Sequence, residues 1–190
     1  TISHNLTVIP EMIWLKGRDA GGGQWYVYHK DTGNQAYGAL NNNYYIYTAS
    51  DGAVAQTIWN ATNPTASVFS LGNASNGNSN GQNFIAYLFA TAPGVSKVGS
   101  FTGSGSDVTV DCGFSSGAKF VMVKDASANG DWYVWDSVRG IVAGNDGYLE
   151  LNTTDAENTG GDYIDPHSSG FIITSGFMQS GRTYIFYAIA

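Results

Sequence analysis

The chain has 190 residues, 43% of them hydrophobic and 12% charged, which is enough for one sizeable hydrophobic core or two smaller ones. The net charge of −7 disfavours nucleic acid and anionic membranes as partners, because both are bound by clustered Lys and Arg, and no segment approaches the roughly 20 apolar residues that span a bilayer. The 25 glycines and the abundant neutral polar residues, together with 14% aromatics, are typical of an all-β protein and not of a disordered chain.

Apolar segments rich in aromatic and β-branched residues, separated by clusters of Gly, Asn and Asp, predict β-strands in the first half of the chain. In chain order these strands lie at Met12–Lys16, around Trp25–Val27, at Asn43–Thr48, at Ser67–Leu71 and at Phe84–Ala90. The first two are separated by "GRDAGGG". That spacing is typical of a β-hairpin with a loop of medium length.

The second half of the chain predicts a similar series of strands. They lie at Phe120–Lys124, around Trp132–Val134, at Tyr148–Asn152, at Gly170–Thr174 and at Tyr184–Ala190, and Ser96–Phe114 is expected to add one or two strands before them. Cys112 is the single cysteine, which excludes an intrachain disulfide and a cysteine-rich metal site. Its position near a predicted strand end favours a small buried side chain.

The two series of strands match each other in sequence. "GQWYVYHK" resembles "GDWYVWDS", and the numbering offset between matched residues falls from 108 at Ile13 and Val121 to 100 at Ile85 and Ile185. Within this alignment "YTASDGAVAQT" matches "LNTTDAENTGG", and "SVFSLG" matches "GFIITS". An ordered match of this length predicts two homologous units, 1–94 and 95–190, which either share one continuous core or form two.

The matched "WYV" strands predict the architecture. Side chains alternate across a strand, so Trp25 and Val27 share one face and Tyr26 and Tyr28 share the other. Because both faces are apolar or aromatic, we expect these strands to be covered on both sides, by core or inter-unit packing. The alternative is an exposed aromatic surface on which a ligand stacks. The predicted fold is an all-β, antiparallel β-sandwich of jelly-roll-like type, built from two homologous units.

Metal and catalytic motifs are weak in this sequence. The histidines lack zinc-site spacing, and Asp162 and Asp165 in "GGDYIDPHSSG" are only weak calcium candidates, since Asp also forms ordinary turns. No pair of carboxylates stands out for acid–base work, and Glu150 in "YLELN" is expected to point to solvent. We therefore predict a protein without a cofactor or a catalytic site, with a glycan depolymerase as a distant alternative.

Carbohydrate binding is the strongest chemical alternative. Sugars are held by aromatic faces and by neutral polar side chains, and the chain is rich in both. Tyr44, Tyr45 and Tyr47, with Asn43 beside them, are the candidate glycan-stacking residues. The same composition is also typical of a long polar loop.

Longer stretches carry a family resemblance. They include "GDWYVWDSVRGIVAGNDGYLELNTTDAE", "DYIDPHSSGFII", "YIFYAIA" and, in the first half, "ISHNLTVIPEMIWLK" and "FIAYLFA". Together they resemble a repeat of tail-fibre and other virion-associated proteins of marine tailed bacteriophages, including cyanophages. The resemblance covers nearly the whole chain and supplies no catalytic motif.

The resemblance implies a structural and adhesive module of a virion, located outside the cell. It implies a homo-oligomer or contacts with other virion proteins, and it allows contact with cell-surface glycan. The alternative is a free-standing, lectin-like carbohydrate-binding module. We expect the terminal "YIFYAIA" strand to be paired, either internally or with a neighbouring subunit, because an unpaired apolar edge would aggregate.

Overall fold

A computed structural model describes residues 1–19, 24–41, 46 and 58–190 of the chain. Their regular secondary structure is almost entirely β, with antiparallel pairing between neighbouring strands, so the predicted all-β, sandwich-like fold is confirmed. The chain divides into two compact units, Thr1–Ala90 and Thr91–Ala190. None of the helical segments in the described part of the chain is long and apolar enough to cross a bilayer.

The first unit has a four-stranded sheet and a two-stranded sheet among its described residues. Its elements are β1 (Ile2–Ser3), β2 (Met12–Gly17), β3 (Trp25–His29), β4 (Gly38–Ala39), β5 (Val68–Phe69), α1 (Ser75–Asn78) and β6 (Phe84–Phe89). The larger sheet has the order β4-β3-β2-β6, and β1 pairs with β5. Its core packs Ile13 and Leu15 of β2 with Tyr28 of β3, Trp59 and Phe69.

The second unit is a sandwich of a six-stranded and a three-stranded sheet. Its strands are β7 (Ser96–Thr102), β8 (Val108–Asp111), β9 (Phe120–Asp125), β10 (Trp132–Asp136), β11 (Asp146–Glu150), β12 (Asn158–Gly161), β13 (Ile164–His167), β14 (Gly170–Ile173) and β15 (Thr183–Ile189). The sheet orders are β12-β11-β10-β9-β15-β7 and β13-β14-β8. Val123, Trp135 and Phe186 of the larger sheet pack with Phe171 and Ile173 of the smaller one, and this core also holds the buried Cys112.

The two units share their strand register. Lys16 faces Trp25 on one side and Ile85 on the other, as Lys124 faces Trp132 and Ile185. The start of each "WYV" strand is also held in the same way. Asn41 Oδ1 accepts a hydrogen bond from Trp25 N at 3.1 Å, and Asn152 Oδ1 accepts one from Trp132 N at 2.8 Å. The residues that correspond in the two units thus differ in number by 108 (Lys16 and Lys124), 107 (Trp25 and Trp132) and 100 (Ile85 and Ile185), as in the sequence alignment.

The register also corrects the alignment of the strand that follows the "WYV" strand. Leu40 N donates to Trp25 O, as Leu151 N donates to Trp132 O. Leu151 therefore corresponds to Leu40, whereas the sequence alignment had matched it with Tyr47. In the first unit the strand beside β3 is β4, at Gly38–Ala39, and the predicted strand at 43–48 lies outside the described residues except for Ile46.

A second correction concerns β5 and β14. His4 N donates to Ser67 O at 2.9 Å, and Cys112 N donates to Ser169 O at 2.8 Å. Ser67 therefore corresponds to Ser169, one residue before the Gly170 that the sequence alignment had chosen. A slip of one residue exchanges the inner and outer faces of a strand. The corrected register aligns Phe69 with Phe171, and each is buried in the core of its own unit.

The "WYV" strands lie inside their sheets. In β10, Tyr133 and Trp135 belong to the sandwich core or pack against it, while Trp132 and Val134, on the other face, are also buried. In β3, Trp25 is half-buried and the next four residues are buried. The expectation of coverage on both faces is therefore met in β10. In β3, Trp25 is more exposed than Trp132 and Trp135 of β10.

Candidate functional site

A cleft of about 230 Å³ lies in the second unit. We call it the aromatic cleft, because five of the side chains that line it are aromatic: Tyr133, Tyr148, Tyr163, Phe177 and Tyr184. Its polar lining comes from Asp125, Asn129, Gln179 and Arg182. The cleft thus brings aromatic side chains together with hydrogen-bonding groups, and both kinds of group occur in small-molecule sites.

Strand pairing brings the aromatic rings together. Tyr133 in β10 and Tyr148 in β11 lie on the same face, and their ring centroids are 5.6 Å apart at an interplanar angle of 66°. Phe177, in the loop after β14, lies edge-on to Tyr133 at 4.9 Å and 87°, and its centroid is 6.0 Å from that of Tyr184 in β15. Edge-to-face contacts of this kind are favourable and fix the ring orientations.

An ion pair forms part of the polar lining. Arg182 Nη1 lies 2.9 Å from Asp125 Oδ2, because β15 pairs with β9 next to these residues. The other carboxylate oxygen of Asp125 accepts the backbone N–H groups of Ser127 and Ala128 at 2.8 and 3.0 Å. Asp125 is therefore fully engaged, while the Arg182 guanidinium, with five N–H donors in all, keeps further donors for a ligand.

Three tyrosines of the cleft, Tyr133, Tyr148 and Tyr184, have raised pKa values and are neutral at physiological pH. Burial raises the pKa of Tyr133 to about 12, and the carboxylates of Asp131 and Glu150 add to that effect. Burial also raises the pKa of Tyr184, whose hydroxyl accepts the backbone N–H of Gln179 at 2.8 Å. A neutral phenol offers an apolar ring together with a hydrogen-bonding hydroxyl.

Glu150 departs from its predicted setting. It pairs with Tyr133 across β10 and β11 and is half-buried, not fully solvated as its sequence context predicted. Burial is the first cause that raises the pKa of its carboxyl, and the neighbouring carboxylates of Asp131 and Asp155 raise it further.

The whole chain, residues 1–190, matches the model of a family described as a domain of unknown function, DUF7483. The chain belongs to the DUF7483 family. Neither a curated protein nor a solved structure matches it significantly.

The four predicted glycan-stacking residues of this DUF7483 chain, Asn43, Tyr44, Tyr45 and Tyr47, lie outside the described residues. They remain candidates from the sequence alone.

The weak calcium candidates are close enough to interact. Asp165 is half-buried in β13, and its pKa is raised first by burial and then by the charges of Asp162 and Asp146. Asp146 is buried and accepts the backbone N–H groups of Val142, Tyr163 and Ile164 at 2.9–3.2 Å, which gives it a structural role. Across the described ranges, no group of three or more His, Cys, Asp or Glu side chains is arranged to hold a metal ion.

Sequence reasoning missed the aromatic cleft. Asp125 and Arg182 are 57 positions apart, and no motif links them. The one available signal was the alternation in "WYVW", which places Tyr133 and Trp135 on the same face.

The first unit buries the equivalent aromatic pair. Tyr26 and Tyr37 correspond to Tyr133 and Tyr148, with centroids 5.3 Å apart at 68°, and both are core residues. The register places Gly17 where the second unit has Asp125, so the ion pair of the cleft has no equivalent there.

Proposed function

We propose that this DUF7483 chain is a non-enzymatic structural module of a bacteriophage virion, of the tail-fibre kind, and that its aromatic cleft contacts cell-surface glycan. The aromatic cleft carries the glycan part of the proposal. The virion part rests on the sequence resemblance and on the low-charge, disulfide-free β architecture.

The chemistry of the cleft suits a sugar ring. Its tyrosines offer aromatic rings and hydroxyl groups, and the amides of Asn129 and Gln179 and the guanidinium of Arg182 can bond sugar hydroxyls. A volume of about 230 Å³ is below the roughly 300 Å³ at which drug-sized pockets begin. The ligand is therefore a single terminal sugar and not a buried oligosaccharide. The net charge of −7 favours neutral glycans over polyanionic ones.

Binding fits the cleft better than hydrolysis. Glycoside hydrolysis generally uses two carboxyl groups that flank the scissile bond. Among the described residues that line the cleft, Asp125 is the one carboxylate. It is already engaged by Arg182 and two backbone amides, so it is poorly placed to act as an acid or a nucleophile.

The second candidate function is a free-standing, lectin-like module. The same cleft favours it, because all of the lining residues belong to one compact unit. A glycan can therefore be bound without a contribution from other virion proteins. Ordered self-assembly of the purified chain, or antibody labelling of fibres on intact phage particles, supports the virion proposal. A monodisperse monomer at high concentration and unlabelled particles contradict it.

A glycan array tests the binding site. We expect Asn129→Ala and Gln179→Ala, both at exposed side chains, each to weaken binding at least about tenfold, as loss of a well-made hydrogen bond does. Val138→Thr is the control, because Val138 is 94% exposed in the turn after β10 and does not line the cleft. Unchanged glycan binding in both cleft variants contradicts the cleft as the binding site. Loss of binding in Tyr44→Ala or Tyr45→Ala would instead locate the site at the glycan-stacking residues predicted from the sequence. Release of new reducing ends would contradict a non-enzymatic role.

A further inference from the structure

The last strands of the two units differ in their neighbours. In the second unit, β15 pairs with β9 on one side and with β7 on the other, where seven residue pairs run from Thr183↔Thr102 to Ile189↔Ser96. In the first unit, the equivalent strand β6 pairs with β2, and within the described residues no strand pairs with its other side. We call that other side, along Phe84–Leu88, the β6 edge.

Side chains of β6 are more exposed than the equivalent side chains of β15, which has a neighbouring strand on both sides. On the inner face of β15, Tyr184, Phe186 and Ala188 are 3%, 2% and 0% exposed, whereas their equivalents in β6 are only half-buried. On the outer face, Ile185 is 1% exposed and its equivalent Ile85 is 36% exposed. The same position in the fold is covered in one unit and open in the other.

A groove of about 570 Å³ lies beside β6. It is lined by Phe84, Ala86 and Leu88 of β6 and by apolar residues of the facing sheet, including Ile2 and Phe69. We call it the β6 groove.

In the second unit, β7 covers the corresponding place. Phe101 of β7 stacks on Tyr184 with centroids 5.2 Å apart at 10°, and it lies 6.3 Å from Phe186. Gly99 lies against the Phe186 ring, where a Cβ atom would meet it at 2.8 Å. In β6 the equivalent of Phe186 is Ala86, so a small residue is not required at that point. Strand β7 therefore shows one side chain that an occupant of the β6 groove presents: an aromatic ring opposite Phe84, the equivalent of Tyr184.

The β6 edge also lacks the usual protection against strand addition. Natural edge strands are commonly blocked by Lys, Pro, bulges or short length. Strand β6 runs six residues as "FIAYLF", without a charge or a proline, and its pairing with β2 is regular. Such an edge is a template for an added strand.

We propose that the β6 edge binds an extended β-strand of a partner protein in antiparallel orientation, and that this strand has the chemistry of β7. It supplies about five residues of backbone pairing, along Phe84–Leu88, and an aromatic side chain that enters the β6 groove. The proposal does not depend on the aromatic cleft, which lies in the other unit.

A peptide with the sequence of residues 95–106, "VSKVGSFTGSGS", serves as the probe for this site. We expect the labelled peptide to bind the intact chain in a fluorescence anisotropy titration, and to slow amide hydrogen exchange at Phe84–Leu88. A peptide with Phe101→Ala loses the ring that fills the β6 groove, and we expect it to bind at least about tenfold more weakly.

Variants of the chain test the location. Tyr87 is 45% exposed, so Tyr87→Lys adds an edge charge without disturbing the core, and we expect at least about tenfold weaker peptide binding. Val138→Thr is the control and keeps full binding. Absence of peptide binding to the unmodified chain overturns the proposal, as does binding that neither change weakens. Self-association that Tyr87→Lys abolishes, with no peptide binding, also overturns it and identifies a second copy as the occupant.

Discussion

Lys124 is the most deeply buried basic residue among those the structure describes. Its exposed fraction is 0%, and its Nζ donates to the backbone oxygens of Asp125 and Ala128 at 2.7 and 3.3 Å. Burial lowers the pKa of this ammonium group from 10.5 to about 8, against the opposing effect of the carboxylates of Asp125 and Asp131. The shift makes stability depend on pH in a predictable direction.

The sign follows from proton binding. Between about pH 8 and about pH 10.5, the unfolded chain holds a proton on Lys124 that the folded chain has lost, so raising the pH favours the folded state. Below about pH 8 both states are protonated and the burial penalty is present in full. Integrated from about pH 7.5 to about pH 9.5, the difference in bound protons is worth about 2 kcal/mol of unfolding free energy.

Lys124→Met removes this titration and keeps most of the side-chain volume. We expect the unfolding free energy of the unmodified chain, measured by urea titration with tryptophan fluorescence, to rise by about 2 kcal/mol relative to the variant over that range. Cys112 and the buried tyrosines, whose pKa values are raised, oppose the rise in both proteins and cancel in the comparison. Lys16→Met, at the equivalent position of the first unit, keeps Lys124 and should keep the slope of the unmodified chain. Parallel curves for the unmodified chain and Lys124→Met would refute the reasoning.

Two further predictions concern the second unit. Gly170→Ala places a Cβ atom 2.1 Å from Val110 O, so we expect it to separate β14 from β8 and to lower the unfolding free energy by about 3 kcal/mol or more. Gly160→Ala, whose Cβ meets only a side-chain atom at 3.6 Å, should cost less than about 1 kcal/mol, and equal effects in the two variants would contradict the packing argument. The Cys112 thiol is 6% exposed and burial raises its pKa to about 12, so its reaction with a disulfide reagent near pH 8 should be at least about 100-fold slower in the folded chain than in urea. Similar rates in the two states would contradict its burial.

The positions of the hairpins could be predicted from sequence because they depend on local signals. The "WYV" segments combine strand-forming residues with flanking turn residues, and both form the second strand of a hairpin in the structure. The strand predicted at Asn43–Thr48 lies outside the described residues except for Ile46. The strand that pairs with β3 is β4, at Gly38–Ala39, whose two residues are too few to carry an alternation signal.

The all-β class of this DUF7483 chain and the match between its halves could be predicted from the sequence, because composition, alternation and repeated motifs are properties of neighbouring residues. The pairing of the strands and their register could be learned only from the three-dimensional structure. Asp125 meets Arg182 because β9 lies beside β15, and the β6 edge is open because nothing in the described chain takes the place of β7. Backbone pairing is chemically alike for every strand, and a shift of one residue reverses its faces. The choice of partner and register is therefore settled by how well whole faces pack, which no single segment specifies.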